Sequence, residues 1–277
     1  MITFSNLGKE ETWGRLGNQL FQIAATISHA FKTETDFCFP AWKYAKYFKY
    51  NLPQDENIKS KFTADDVYPH QNFHYTPLPV PNDKQLDISG WFQSEKYFLP
   101  AKEQVLEQFL FSDEVMDKAK HHISTLTPTG QTENNIAIHV RRGDYLQKQA
   151  HHPTQSLNWY KMAVNRMERE LKQPLNIVVF SDDINFIIDN FTEKNFPNAN
   201  RITWITPGNE IIDLALMSLC NHHIICNSTY SWWGAYLAQN YNQQQSIPQV
   251  VIAPRRWFGD KVNLITDDIY CPNWIKL

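Results

Sequence analysis

Five short apolar segments in the second half of the chain predict buried strands. They are rich in valine and isoleucine and carry few polar residues, a composition typical of strands that are covered on both faces of a sheet. The segments are NIAIHV (135–140), NIVVF (176–180), ITWIT (202–206), HHIIC (222–226) and QVVIA (249–253).

Segments with apolar residues at helical spacing lie between these strands. They are Trp159–Leu171, Ile184–Phe191, Glu210–Leu219 and Trp232–Asn240. Regular alternation of strand and helix predicts an α/β unit with a parallel, Rossmann-like sheet, in which ligands bind beyond the carboxyl ends of the strands.

The first half of the chain is less regular. Ile2–Ser5 predicts a strand, Leu16–Phe31 predicts a helix with one apolar face, and a short strand is expected around Phe37–Phe39. Residues 40–100 are rich in aromatic residues, lysine and proline and show no clean period.

A polar segment, TPTGQTENN (127–135), separates a predicted helix at Asp113–Ile123 from the first strong strand. Proline, glycine and polar residues in such a run are typical of a linker. The sequence therefore predicts two domains, residues 1–130 and residues 131–277.

Composition and charge narrow the class of protein. The 277 residues are 42% hydrophobic and 20% charged, and the formal net charge of −3 leaves no broad basic surface for nucleic acid. The four cysteines have spacings that fit neither a zinc site nor a disulfide framework. We expect no leader, because the first residues lack a basic-then-apolar pattern, and the best apolar run, Ile211–Cys220, is too short to span a bilayer. We expect a cytoplasmic protein without a transmembrane segment, and peripheral membrane contact stays open.

The first polar strand end carries Arg141 and Arg142, with Asp144 close behind. Planar guanidinium groups at the carboxyl edge of a sheet are suited to two-pronged capture of phosphate oxygens. The alternative is that one arginine pairs with Asp144 and serves structure only. Two consecutive arginines need more partners than one aspartate, which favours the phosphate interpretation.

The second strand end carries Ser181, Asp182 and Asp183. A carboxylate here can accept hydrogens from a purine edge or from sugar hydroxyls, and two together can hold a divalent metal. A serine or aspartate before a helix is equally typical of an N-cap. We give equal weight to the ligand-binding carboxylate and to the N-cap, and we rank the metal site below both.

The third strand end is NSTYSWWGAYL (227–237). Backbone N–H groups and the hydroxyls of Ser228, Thr229 and Ser231 at a helix N-terminus can bind an anion. The alternative is that Ser231 caps the helix while the aromatic residues pack. Three polar strand ends at one sheet edge together predict a negatively charged nucleotide ligand.

These motifs occur in an order that resembles the bacterial α-1,2-fucosyltransferases that use GDP-fucose. The segments that carry the resemblance are WGRLGNQLFQ (13–22), HVRRGDY (139–145), FSDD (180–183) and NSTYSWWGAYL (227–237), supported by LALMSLCNHHIICNS (214–228). The chain departs from the pattern at Arg15, where the family shows a second glycine, and this departure puts the acceptor choice in doubt.

The resemblance implies a GT-B-like α/β fold of two Rossmann-like domains with the cleft between them. It also implies inverting transfer of L-fucose from GDP-fucose, without a metal or another cofactor. The implied acceptor is the 2-OH of a terminal galactose on an oligosaccharide or a lipid-linked glycan. Three alternatives stay open. The protein can be a fucosyltransferase of another acceptor class, such as protein O-fucosylation, a transferase that uses another donor, or a non-catalytic module that binds a nucleotide sugar.

Within that resemblance, Arg141 and Arg142 neutralise the departing diphosphate. The other implied donor contacts are His139, Asp182, Asp183, Asn227, Ser228, Thr229 and Ser231, with Gly17, Asn18 and Gln19 closing the cleft from the other domain. An inverting reaction needs a base for the acceptor hydroxyl, and both Asp144 and His152 are candidates. We further expect Trp42, Tyr44, Trp91 and Phe92 to form a sugar-stacking face, with core packing as the alternative for each.

Overall fold

The computed structural model describes residues 1–70, 72–80, 85–126, 135–245 and 248–277. They form two compact units, one of Met1–Ser112 with Leu264–Cys271 and one of Asp113–Asn263 with Pro272–Leu277. The predicted boundary at residues 130 and 131 lies outside the described residues. The observed division comes earlier, because the helix at Asp113–Leu126 packs on the helix at Glu210–Ser218 of the second unit.

The first unit contains a small parallel sheet. Its strands are β1 (Ile2–Thr3), β2 (Val67–Pro69) and β3 (Leu86–Ser89), in the order β1-β3-β2. The predicted first strand is confirmed in a shorter form, whereas β2 and β3 were not predicted. The strand expected around Phe37–Phe39 is present only as isolated bridges from Phe37 to Ile2 and from Phe39 to Gln54.

The helices of the first unit pack around this sheet. They are α1 (Glu10–Trp13), α2 (Leu16–Lys32) and α3 (Lys102–Gln108). Helix α2 confirms the prediction from its apolar spacing and is buried along nearly its whole length. Short 3₁₀ turns lie at Ala45–Tyr47, Ile58–Lys61, Ala64–Asp66, Glu95–Tyr97, Leu99–Ala101 and Asp267–Ile269.

The second unit is built on a six-stranded, all-parallel sheet. Its strands are β4 (Asn135–Val140), β5 (Leu175–Ser181), β6 (Ala199–Ile205), β7 (His222–Ile224), β8 (Val251–Ala253) and β9 (Ile275–Lys276). The strands run in the order β6-β5-β4-β7-β8-β9. All five predicted strands are confirmed within a few residues, and β4 is confirmed residue for residue.

Five helices flank that sheet in the described part of the unit. They are α4 (Asp113–Leu126), α5 (Leu157–Leu171), α6 (Ile184–Asn190), α7 (Glu210–Ser218) and α8 (Thr229–Gln245). Fully buried residues such as Tyr160, Met167 and Phe191 pack against the strands and form the core. Nowhere in the described ranges is a helix both long and apolar enough to cross a membrane.

The strand order places a topological switch next to β4. From β4 the chain continues to β5 and β6 on one side of it, and then returns to β7, β8 and β9 on the other side. Connections that leave in opposite directions open a crevice at the carboxyl ends of the two central strands, where α/β proteins bind ligands. The motifs after β4, β5 and β7 all lie at this edge.

Candidate active site

Arg141 follows β4 directly and contacts two carboxylates with its guanidinium group. Its Nη2 lies 2.5 Å from Asp144 Oδ1, and its Nη1 lies 2.8 Å from Asp182 Oδ2. Only 16% of the side chain is exposed. Burial alone would lower the pKa of Arg141, but the two carboxylates more than offset this effect and raise it. The group is therefore a permanent cation whose orientation is set from two sides.

Arg142 is held at three points. Its backbone N–H donates to Asp182 Oδ1 at 2.8 Å, and its Nε donates to Asp183 Oδ2 at 2.9 Å. The guanidinium carbon lies 3.7 Å from the centroid of the Phe186 ring, a cation–π contact. Both arginines are therefore positioned before any ligand arrives.

Three carboxylates face the two guanidinium groups. The two arginines have more partners than one aspartate, as expected, but the further partners are the carboxylates of Asp182 and Asp183, and the sheet register explains why. The register pairs Val140 of β4 with Ser181 of β5. The next residues, Arg141 and Asp182, therefore meet across the two strand ends.

Asp183 serves the helix that follows it as well as the arginine. Its Oδ1 accepts from the Phe186 backbone N–H at 3.1 Å, so the N-cap interpretation is confirmed. Burial acts to raise the pKa of Asp183, but the bonds from Arg142 and from the Phe186 N–H outweigh it and lower the pKa. Among the described residues, no three histidine, cysteine or acidic side chains are grouped so that they could hold a metal ion.

Gly143 leaves the space that Asp182 occupies. A Cβ added at Gly143 would lie 2.5 Å from Asp182 Oδ2, the atom that pairs with Arg141. Real Cβ atoms essentially never approach an oxygen so closely. A larger residue at position 143 would therefore have to displace the Asp182 carboxylate.

Tyr145 connects the arginine to a histidine and was not among the predicted site residues. Its ring is stacked on His152 with centroids 4.9 Å apart and planes 20° apart, and the Arg141 guanidinium carbon lies 5.5 Å from its centroid. Its hydroxyl donates to the Asn227 carbonyl at 3.0 Å. The motif HVRRGDY contains this residue, so its adjacency to Asp144 was the available signal.

His152 is brought to the same edge by this stacking. On its other side lies Phe258, with ring centroids 5.7 Å apart. Burial and the nearby Lys148 ammonium lower the pKa of His152 below its usual value of 6.5. The imidazole is therefore mostly neutral at pH 7 and able to accept a proton.

His139 lies beneath the edge rather than on it. It is 6% exposed, its Nδ1 lies 3.2 Å from Cys226 Sγ, and its ring lies 5.6 Å from that of Tyr230. Burial lowers the pKa of His139 to about 3, with a smaller contribution from Arg141. A neutral, buried imidazole gives no electrostatic attraction to phosphate, so a donor contact at His139 stays a prediction.

The serine-rich segment divides into two parts. Ser228 and Thr229 are part-exposed at the start of α8. Ser231 is fully buried, and its hydroxyl donates to the Ser228 carbonyl at 3.2 Å. Of the three hydroxyls predicted to bind an anion, that of Ser231 is therefore used inside the first turn of the helix.

Asn227 joins three loops at the edge of the sheet. Its Nδ2 donates to the Trp257 carbonyl at 3.0 Å, and its Oδ1 accepts from Gln155 Nε2 at 3.2 Å. Its own carbonyl accepts from Tyr145. The buried asparagine therefore fixes the loop that follows β7.

Gly17, Asn18 and Gln19 lie in the first turn of α2, in the first unit. Gln19 is fully buried, donates to the Gly14 carbonyl at 2.9 Å and accepts from the Trp42 indole at 2.7 Å. These bonds make Gln19 a structural residue of its own unit. Donor contacts by the three residues stay predictions.

The predicted sugar-stacking face is wrong for three of its four residues. Trp42, Tyr44 and Phe92 are 4%, 5% and 0% exposed and pack in the core of the first unit. The core-packing alternative is therefore confirmed for them. Trp91 differs, because it is part-exposed.

Comparison with protein families shows which family has these motifs. Residues 9–277 match the family described as glycosyl transferase family 11. The chain belongs to this family. The predicted resemblance is thereby confirmed. The motifs that follow β4, β5 and β7 at the switch point are thus those of a family 11 protein.

Two relatives of this family 11 chain are named as α-1,2-glycosyltransferases. It is 29% identical to an alpha-1,2-colitosyltransferase of Escherichia coli, over 69% of this chain and 62% of the relative. It is 25% identical to galactoside alpha-(1,2)-fucosyltransferase 2 of Oryctolagus cuniculus, over 95% of this chain and 81% of the relative. The chain thus spans about three-fifths of the length of the Escherichia coli relative.

Solved structures show the same fold at low identity. The α-1,6-fucosyltransferase NodZ soaked with GDP-fucose has a TM-score of 0.53 and 14% identity, over 85% of this chain and 91% of NodZ. POFUT1 in complex with GDP-fucose has a TM-score of 0.52 and 12% identity, over 90% of this chain and 96% of POFUT1. The GT-B-like α/β class predicted for this family 11 protein is confirmed.

Proposed function

We propose that this protein is an inverting fucosyltransferase that moves L-fucose from GDP-fucose to the 2-OH of a terminal galactose. The observation that carries the proposal is the pair of oriented arginines, Arg141 and Arg142, at the switch point of a family 11 fold. The names of both relatives support the α-1,2 linkage, and that of the fucosyltransferase supports fucose as the sugar.

Arg141 stabilises the leaving group in this proposal. As the bond from fucose C1 to the β-phosphate oxygen breaks, its electron pair passes to that oxygen, and negative charge accumulates on GDP. A guanidinium group has five N–H donors, so the bonds to Asp144 and Asp182 leave others for phosphate. The carboxylates orient the group, and its remaining donors stabilise the charge that develops.

His152 is the base that we favour. The acceptor oxygen attacks C1 on the face opposite the diphosphate, and its proton must pass to a nearby group. The Asp144 carboxylate is already paired with Arg141 and lies 3.7 Å from Lys148 Nζ, so its two oxygens face cations of this chain. His152 has a lowered pKa and is available in its neutral form.

We also propose that transfer needs no metal and takes place in the cytoplasm. The two arginines supply the positive charge that a cation brings to a diphosphate in other transferases. The four cysteines are free thiols, which suits a reducing compartment.

A second candidate donor is GDP-colitose. The alpha-1,2-colitosyltransferase relative supports it, since its name gives colitose as the transferred sugar and it matches 69% of this chain. Colitose is the 3-deoxy counterpart of L-fucose, so discrimination between the two donors rests on one hydroxyl.

The test is a transfer assay with the purified full chain. GDP-fucose and lactose should give a product heavier by one fucose in mass spectrometry, with an α-1,2 linkage in its NMR spectrum, both with and without EDTA. GDP should compete with the donor and UDP should not. If only GDP-colitose is turned over, the proposed donor is GDP-colitose and not GDP-fucose. Loss of activity in EDTA would contradict metal-free transfer. No transfer from either donor would contradict the proposed function.

A further inference from the structure

Two tryptophans of the first unit, Trp13 and Trp91, form a part-exposed aromatic surface. Their ring centroids lie 5.7 Å apart with the planes at 51°, and Phe73 lies 6.3 Å from Trp91 with its plane at 17°. We propose that this surface, the aromatic platform of Trp13, Trp91 and Phe73, binds a pyranose ring of the carbohydrate acceptor. The identity of that acceptor rests on the proposed function, whereas the carbohydrate class rests on the platform.

The platform has a rigid base. Phe4 is fully buried and meets Trp13 edge to face, with centroids 5.6 Å apart. Phe92, also fully buried, packs on Phe4 at 6.4 Å. The inner side of Trp13 is therefore filled by core residues, while the two tryptophans retain exposed surface.

Buried amides hold the chain segment that carries Trp13. The Trp13 carbonyl accepts from Gln22 Nε2 at 2.9 Å, and the next carbonyl, of Gly14, accepts from Gln19 Nε2 at 2.9 Å. Gly14 has φ +83°, and a Cβ there would overlap Asn18. Because both glutamines are buried, breaking these bonds would leave polar groups unsatisfied in the core, so the position of Trp13 is fixed.

A third amide links the segment that carries Trp91 to the same helix. Gln93, two residues further along, donates from its Nε2 to Asn18 Oδ1 at 3.0 Å. Asn18, Gln19 and Gln22 all belong to α2, so one helix positions both tryptophans. This arrangement also gives a role to residues of the WGRLGNQLFQ motif that act within the first unit.

The chemistry of the platform suits a sugar. The faces of a pyranose ring present C–H groups, which pack on aromatic rings, while its edge presents hydroxyls that need polar partners. Asn18, a part-exposed residue, belongs to the same segment of chain. Three rings offer far less surface than the roughly 800 Å² that each partner buries in a stable protein complex, so a small ligand fits better than a protein.

The test compares Trp13→Leu and Trp91→Leu with Trp91→Phe. Leucine keeps an apolar side chain but removes the ring, whereas phenylalanine keeps a ring. Trp204→Leu is the control, because Trp204 is 38% exposed and lies in the second unit. The measurements are the lactose KM with GDP-fucose as donor, the Kd for GDP, and the Tm.

We expect both leucine variants to raise the lactose KM by about tenfold, a factor in the range of one aromatic contact. The Phe variant should raise it less, and the Kd for GDP should stay within about twofold of that of the Trp204→Leu control. A wild-type KM in Trp13→Leu and Trp91→Leu would overturn the platform. So would a KM increase of equal size in Trp204→Leu.

A binding measurement separates this inference from the proposed function. Saturation-transfer NMR of lactose with the wild-type chain should show transfer to the galactose C–H protons, and Trp91→Leu should lose it while keeping its Tm. Suppose that the chain moves no fucose but shows saturation transfer that depends on Trp91. This result would uphold the carbohydrate site and contradict only the proposed fucosyltransferase function. Equal transfer in wild type and in a folded Trp91→Leu would overturn the platform even if fucose is transferred.

Discussion

Asp144 Oδ1 lies 2.5 Å from Arg141 Nη2, so the arginine proposed to bind phosphate is already paired with a carboxylate. This pairing has two opposing effects on GDP. It orients the guanidinium group, which favours binding, and it places a negative charge close to the diphosphate, which disfavours binding. The balance can be measured by removing the charge alone.

We predict that Asp144→Asn tightens GDP binding about two- to fivefold while lowering kcat, since repulsion falls but Arg141 loses a partner that orients it. Calorimetric titration with GDP and steady-state kinetics check the two effects. Weaker GDP binding in Asp144→Asn, in a chain that keeps its Tm, would mean that orientation outweighs repulsion. A loss of nearly all turnover would instead support Asp144 as the base.

Gly143→Ala should disturb the same cluster through packing alone. The new Cβ would push Asp182 Oδ2 away from Arg141, so we expect a loss of about 1–3 kcal/mol in the free energy of unfolding, together with a lower kcat. Gly208→Ala is the matched control, because the nearest atom to its Cβ would be 3.9 Å away. Urea unfolding of both variants is the check, and equal stabilities would show that Asp182 moves aside without cost.

The strand ends could be predicted from the sequence, whereas their pairing could not. β4 was predicted residue for residue because four of its six residues are apolar and only His139 interrupts them. That Arg141 meets Asp182 depends on the parallel register of β4 with β5, which pairs residues about 40 positions apart and leaves no local pattern. The sequence therefore indicates which edge of the sheet carries chemistry, but not which charges neutralise one another there.

Strand β3 shows why part of the first unit was missed. Its four residues are all buried, yet one of them is Asp87. A charged residue in so short a segment interrupts the hydrophobic pattern that predicts a buried strand. The carboxylate is satisfied by the backbone N–H of Ser5 at 2.9 Å and by the Ser5 hydroxyl at 2.5 Å. That partner lies 82 residues away in sequence, so only the folded chain reveals it.

The pH dependence of transfer should identify the base. Because the pKa of His152 is lowered from 6.5, its neutral form persists to lower pH, and kcat/KM should fall only below pH 6.5. His152→Asn should remove this acid limb and lower kcat by about 10²–10⁴. If the pH profile of His152→Asn matches that of the wild type, another group is the general base.

Tyr145 should affect that profile without acting as a base. Tyr145→Phe keeps the ring that stacks on His152 and loses only the bond to Asn227, so we expect a nearly unchanged acid limb. Tyr145→Leu removes the ring, which increases the exposure of His152 to water, and the acid limb should move toward pH 6.5. The same limb in both variants would show that stacking does not set the pKa of His152.

The most direct test of the account is the kcat of Arg141→Lys. Lysine keeps a charge but loses the two-pronged geometry, and the contact strengthens as charge accumulates on the leaving GDP. We predict that kcat falls by the equivalent of about 2–4 kcal/mol of transition-state stabilisation, with a smaller change in donor affinity and an intact fold by thermal melting. A folded Arg141→Lys enzyme with near-normal kcat would contradict the account, because the charge that ends β4 would then serve structure alone.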